Sequence, residues 1–176
     1  MDAHETNEIA ENVEEAGGGP IGFRRGVALL VGFMAMLLAI ASLGGENAMK
    51  ETINSNILAS DTYAFYQARN IRQEMLSAIA DLVETLGKDA APYRARAERE
   101  GREKASLLEE ARRHDAERAT AQRRDINFDY ARALYEIAIV LGSVSIVASS
   151  WPLVALSSLL ALGATALSVN GYLLLI

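Results

Sequence analysis

Cysteine is absent, so no disulfide, iron–sulfur cluster or thiolate zinc site can form. Histidine is scarce: His4 and His114 lie far apart in charged surroundings, a poor spacing for a metal pair. There is no phosphate-binding glycine loop and no cluster at metal-ligand spacing, so no cofactor is expected. The most informative scarcity is local. Residues 26–45 and 137–176 carry no charge, although 23% of the chain is charged. A water-soluble globule would mix apolar and charged residues at helix or strand periodicity, whereas here they are segregated.

The charges fall in two places. Residues 1–25 hold six acids (Asp2, Glu5, Glu8, Glu11, Glu14, Glu15) against Arg24 and Arg25, which accounts for most of the net charge of −6. From Lys50 to Glu136 the balance is nearly even. No polycationic face exists for nucleic acid. The acidic start, followed by Gly17-Gly18-Gly19-Pro20, reads as a disordered tail and flexible linker over residues 1–22.

Twenty uncharged residues, Gly26–Gly45, rise about 30 Å as a helix, one hydrocarbon thickness. The preceding tail is long and acidic, unlike a cleaved signal, so the run reads as a retained transmembrane helix over 23–45. Ile137–Ile176 is too long for one crossing, and Ser149-Ser150-Trp151-Pro152 is where it folds. Proline removes a backbone donor and tryptophan favours the membrane interface. The second and third spans are expected at 132–150 and 153–175, with Glu136 about one turn inside and paired to Arg132.

Residues 46–131 lie between the spans. Ile57, Ala64, Ala68, Ile71, Met75, Ala78 and Leu82 recur at helical spacing, alternating four and three from Ala64 onward, which predicts a coiled-coil seam. Gly87 to Pro92 is a turn signal, and a second, highly charged helix follows from about Tyr93 with a thin seam of Ala97, Ala105, Leu108, Ala111, Ala119 and Ile126. Two arms of nearly equal length with a central turn predict an antiparallel helical hairpin, a stalk returning to the same bilayer face. The expected fold is therefore an all-α membrane protein, with three transmembrane helices and a coiled-coil stalk between the first and second.

Each predicted span carries small residues at steps of four and three. They are Ala28, Gly32, Ala35 and Ala39 in the first, Ala138, Gly142 and Ser145 in the second, and Ser157, Ala161, Ala164 and Ser168 in the third. In lipid, small residues let helix backbones approach and so mark helix-packing faces. No charge lies deep in the first or third span, whereas transporters and pumps keep ionisable groups near the midplane. Asn170 reads as a helix–helix hydrogen bond or an interfacial residue rather than a transport site. The stalk carboxylates are spread among arginines, as on a solvated helix face, and no enzymatic activity is expected.

The segment Ala59-Ser60-Asp61-Thr62-Tyr63-Ala64-Phe65-Tyr66-Gln67-Ala68-Arg69-Asn70-Ile71-Arg72 resembles the bacterial membrane family labelled domain of unknown function 4337, whose pattern there is SDxWxYYQAKxIK. Tyr63 stands where that family favours tryptophan, Phe65 where it favours tyrosine, and Arg69 and Arg72 where it favours lysine. Asp125 to Ser145 is similar to the family's second membrane approach, and the resemblance spans residues 24–174. It implies the same three-span layout and no assigned activity. Tyr63, Phe65, Tyr66, Arg69, Arg72 and Trp151 are the candidate interaction residues, either clamping the hairpin or docking a partner, since aromatics and arginine are enriched at binding hot spots.

Arg24 and Arg25 favour a cytoplasmic N-terminus, while Arg118, Arg123, Arg124 and Arg132 favour a cytoplasmic stalk. The reading adopted is a multi-pass protein of the bacterial inner membrane, leaning toward a cytoplasmic stalk. Its expected partners are the lipid bilayer and other membrane protein subunits, which the stalk braces or recruits. The competing reading is a homo-oligomeric pore or small transporter with Ser145, Ser149, Ser157 and Ser168 toward a lumen.

Overall fold

A computed structural model describes residues 21–174. Three helices make up these residues: α1 (Ile21–Thr85), α2 (Ala91–Ala148) and α3 (Trp151–Leu173), and no strand occurs among the described residues. Each contains a stretch long and apolar enough to cross a membrane. The acidic tail lies outside the described residues, except that Ile21 and Gly22, read as linker, already belong to α1.

The predicted first span is not a separate helix. α1 runs unbroken for 65 residues, through Gly44 and Gly45. Both glycines are buried, so the backbone freedom they bring in water is removed by packing. α2 begins two residues earlier than the expected Tyr93, and α3 two residues earlier than the expected Leu153.

Both connections are short, and their hydrogen bonds explain them. At the end of α1, Gly87 takes φ +67°, its N–H donates to the Glu84 carbonyl at 2.9 Å, and Lys88 N–H donates to the Val83 carbonyl at 3.1 Å. This pair of bonds satisfies the last carbonyls, and its left-handed residue is tolerated best by glycine. Asp89 Oδ1 then accepts the Ala91 N–H at 2.9 Å, satisfying an orphan donor at the start of α2. At the end of α2 the left-handed position falls on Ser149 (φ 48°), and Ser150 N–H donates to the Ser145 carbonyl at 3.2 Å. Pro152 sits in the first turn of α3, where its missing N–H costs nothing.

The described chain divides into two compact units. The apolar unit holds residues 21–48 and 123–174, and the charged unit holds Met49–Gln122. The core of the apolar unit is Met34, Ala41, Ala48, Phe128, Tyr135, Ala138, Ala161 and Ala164. Five of these eight are alanines, so the three helix segments meet with backbones close together. Val27, Met34, Ala41 and Ala48, seven apart, form the buried stripe of α1 in this unit.

In the charged unit α1 and α2 lie side by side and antiparallel: Asn56 bonds to Arg118, Tyr63 to Asp115, Arg69 to Glu100, and Glu84 to Arg94. The helices do not meet along the expected seam. Ile57, Ala64, Ile71, Met75, Ala78 and Leu82 are exposed and Ala68 is half-buried. The contact face of α1 is Ser55, Ala59, Thr62, Tyr66, Arg69, Gln73, Leu76 and Ala80. On α2, Ala97 and Ala111 are buried as expected and Leu108 is half-buried, but Ala105 and Ala119 are exposed, as is Ile126 beyond this unit; His114 and Ala121 are buried instead. Close approach selects small side chains at the contact, and the longer polar ones there bond across it.

Candidate interaction surfaces

The predicted aromatic and arginine patch splits between two faces of α1. Tyr63 is half-buried and its hydroxyl donates to Asp115 Oδ2 on α2 at 2.9 Å. That hydrogen bond first, and then burial, pushes the phenol above its ordinary pKa. Tyr66 is half-buried, with the Lys104 ammonium 5.9 Å from its ring centroid. Arg69 Nη1 donates to Glu100 Oε2 at 2.8 Å and pairs with Glu103 Oε2 at 2.5 Å. The hydrogen bond to Glu100 raises the guanidinium pKa further, opposed by desolvation. Glu103 accepts in turn from Arg99 Nε at 2.9 Å, and that bond, with Arg69 beyond it, holds its carboxyl below the usual range. These three side chains therefore join α1 to α2.

Phe65 and Arg72 point the other way. Both are exposed, Phe65 at 64%. They flank the outward stripe of Ile71, Met75 and Leu82, which are 58–61% exposed. Trp151 belongs to the apolar unit; it is exposed, and its ring meets Phe23 edge-on with centroids 5.9 Å apart. Phe23 and Trp151 border an apolar crevice of about 410 Å³ with Gly26, Val27 and Val154.

The small-residue seams also separate. Ala138, Gly142, Ser145, Ser157, Ala161 and Ala164 are buried within the apolar unit, and Ser168 is half-buried. A Cβ on Gly142 would stand 2.8 Å from Val31 Cγ2 and 3.2 Å from Ser157 Oγ, so α1, α2 and α3 converge there. Ser157 Oγ donates to the Ala138 carbonyl at 2.6 Å, and Ser145 Oγ to the Gly142 carbonyl at 2.6 Å. Ala28, Gly32, Ala35 and Ala39 are all exposed, so this set does not pack against the other described residues. In a helix apolar on every side several stripes fit a four-and-three step, and the one bearing Val27 and Met34 fills the core better.

Sequence reasoning missed the aromatic and glycine knot of the apolar unit. Phe128 is 2% exposed and lies against Gly44, Gly45 and Gly171, with Tyr172 edge-on at 4.9 Å between centroids. Tyr135, equally buried, bonds to Thr165 Oγ1 at 2.9 Å. Paired glycines inside a helix opposite a lone phenylalanine were the available signal. Asn170 Nδ2 donates to Asn127 Oδ1 at 3.3 Å, across helices. Arg132 pairs with Asp129 at 3.7 Å rather than with Glu136. The i−3 aspartate lies on the same helix face, and both side chains remain accessible there.

Among the described residues no three His, Asp or Glu side chains are grouped to hold a metal ion. No curated protein and no solved structure matches the chain. The family described as domain of unknown function 4337 matches residues 23–174, nearly the whole length, and includes both the Tyr63–Arg72 segment and the Phe128 knot. The chain belongs to that family.

Proposed function

We propose that this chain is a non-enzymatic, multi-pass membrane protein that serves as an accessory subunit of a larger membrane complex. Its three apolar stretches cross the bilayer, and residues 49–122 form a helical-hairpin stalk on the cytoplasmic side of a bacterial inner membrane, bracing or recruiting partners. The observation that carries this reading is the outward face of α1, where Ala28, Gly32, Ala35 and Ala39 form a shallow strip beside the exposed ridge of Leu29, Phe33, Met36 and Ile40. An exposed strip of small residues accepts a neighbouring membrane helix at close range. The chain's own second and third helices do not use it.

The pore reading gains no such support. Ser145 and Ser157 are fully buried within one chain and donate to backbone carbonyls, so neither hydroxyl is offered to a lumen.

Purification from native membranes in mild detergent, with mass measurement and identification of co-purifying subunits, tests the proposal. A foreign subunit at fixed stoichiometry is expected, and Gly32→Leu with Ala35→Leu should release it while the chain stays folded. A closed ring of this chain alone, unaffected by those substitutions, would refute accessory status. Because the protein has no cysteine, single cysteines introduced at exposed stalk positions report sidedness by membrane-impermeant labelling.

A further inference from the structure

The exposed stripe of α1 in the charged unit is itself a heptad seam. Ala64, Ala68, Ile71, Met75, Ala78 and Leu82 step by four, three, four, three and four, and Leu86 extends the apolar surface at the helix end. α1 thus carries two seams about half a turn apart. The one through Thr62, Tyr66 and Arg69 is already occupied by α2, and the one through Ile71 and Met75 is not occupied by any described residue of this unit. We propose that the second seam pairs with the same seam of a second copy of this chain, as a parallel two-stranded coiled coil over residues 64–86.

Size, charge and register select this occupant. Phe65, Ile71, Met75, Leu82 and Leu86 are each 58–64% exposed. At on the order of 100 Å² of apolar surface apiece, with the alanines between them, they offer roughly 600–700 Å² per copy, close to the ~800 Å² per partner of a standard interface. Three heptads of four-and-three spacing call for a helical partner with the same period. Parallel pairing sets the residues flanking one seam against those five positions further along the other: Gln67 against Arg72, Glu74 against Ile79, and Asp81 against Leu86. None of these is a like-charge pair. Antiparallel pairing would bring Glu74 against Glu74 or Asp81 of the second copy, which is repulsive. Two copies inserted alike in one bilayer present their stalks in the parallel sense, so to that extent the inference rests on the membrane placement above. Asp61 falls at a core position of the same register and would face its own copy, which sets the lower end of the pairing at Ala64.

The test uses the full chain in its membrane. Met75→Cys is the only thiol in the protein and, on mild oxidation, should give a disulfide-linked species of twice the chain mass. Ser106→Cys, exposed on α2 away from the seam, should remain single. A Met75→Glu, Leu82→Glu variant changes only exposed positions and keeps the fold by circular dichroism; its dimer fraction in mild detergent should fall at least tenfold. Absence of the Met75→Cys cross-link, or its equal formation at Ser106→Cys, overturns the proposal. So does a double glutamate variant that sheds a foreign protein while the wild type itself is a monomer. That last outcome would leave the accessory reading standing, because the accessory reading is tested at Gly32 and Ala35 and not on this stripe.

Discussion

The ring of Phe128 occupies the space a side chain on Gly44 would need: a Cβ there would lie 2.6 Å from Cε1 and 2.7 Å from Cζ of the ring. Gly171 faces the same ring from α3, where a Cβ would approach to 2.9 Å. One phenylalanine on α2 is thus received by a hollow that two other helix segments line with hydrogens. Such a hollow favours one axial register of α3 against α2, because either neighbour of Gly171 in its place would drive a Cβ into the ring.

Gly44→Ala should therefore destabilise the apolar unit by about 1–3 kcal/mol, the usual cost of overpacking a filled site. Gly44→Ala combined with Phe128→Leu should be less unstable than the sum of the two single changes, since the smaller side chain vacates the clash. Gly26→Ala, with nothing within 4 Å of its Cβ, is the control and should be neutral or slightly stabilising. Chemical unfolding in detergent, followed by circular dichroism, measures all four.

Tyr63 and Phe65 are two residues apart and face opposite ways, so their substitutions should separate. Tyr63→Phe loses the hydroxyl bond to Asp115 and should lower the unfolding midpoint modestly. The loss stays modest because Asp115 keeps Arg118 at 3.1 Å. Phe65→Ser removes a ring that α2 does not cover and, in protein diluted to single chains, should leave the unfolding midpoint within about 0.5 kcal/mol of wild type. If Phe65→Ser proved the more damaging of the two, the assignment of faces would be wrong.

How much of this was legible beforehand depends on what the residues signal. The turn at Gly87 and the fold-back at Ser149–Pro152 were readable because a left-handed residue and a proline each leave few alternatives. The packing faces of α2 and α3 in the apolar unit were readable as well, since Gly142 and Ser157 can meet only if both are small. The face of α1 was not. Hydrophobicity marks a buried face only against water, and in a segment apolar on all sides Ala28 and Val27 give the same signal. In the charged unit the same logic misled in the opposite direction: Ile71 and Met75 repeat with a heptad period, yet α2 packs against Ala59, Thr62 and Tyr66. Periodicity reveals that a helix has a seam, not which partner fills it.

The carboxylate of Glu103 is held below its ordinary range by Arg99 and Arg69. A carboxyl whose folded pKa is lowered contributes stability above its unfolded value, and that contribution is lost as pH falls through the folded one. Acidification below about pH 4 should therefore loosen the charged unit. Glu103→Gln should show a thermal midpoint closer to wild type at pH 3 than at pH 7. Both side chains are partly exposed, at 31% for Arg69 and 34% for Glu103, so added salt should shrink the pH 7 difference.

Asp125 carries the opposite sign. Burial raises its carboxyl above the ordinary value, Asp129 one turn on adds to the rise, and Arg132 opposes it. A carboxyl whose folded pKa is raised prefers its proton in the folded chain. The fold is then penalised as pH climbs past the unfolded value, and the penalty is complete once pH exceeds the folded one. At pH 7, far above the unfolded value, that penalty is in force. Asp125→Asn should raise the thermal midpoint at pH 7 and lose that advantage by pH 3, where wild-type Asp125 is itself neutral. An advantage of equal size at both pH values would locate the gain in packing rather than charge. Asp129→Asn should reproduce part of the pH 7 gain by removing the like charge, offset by the loss of its pairing with Arg132.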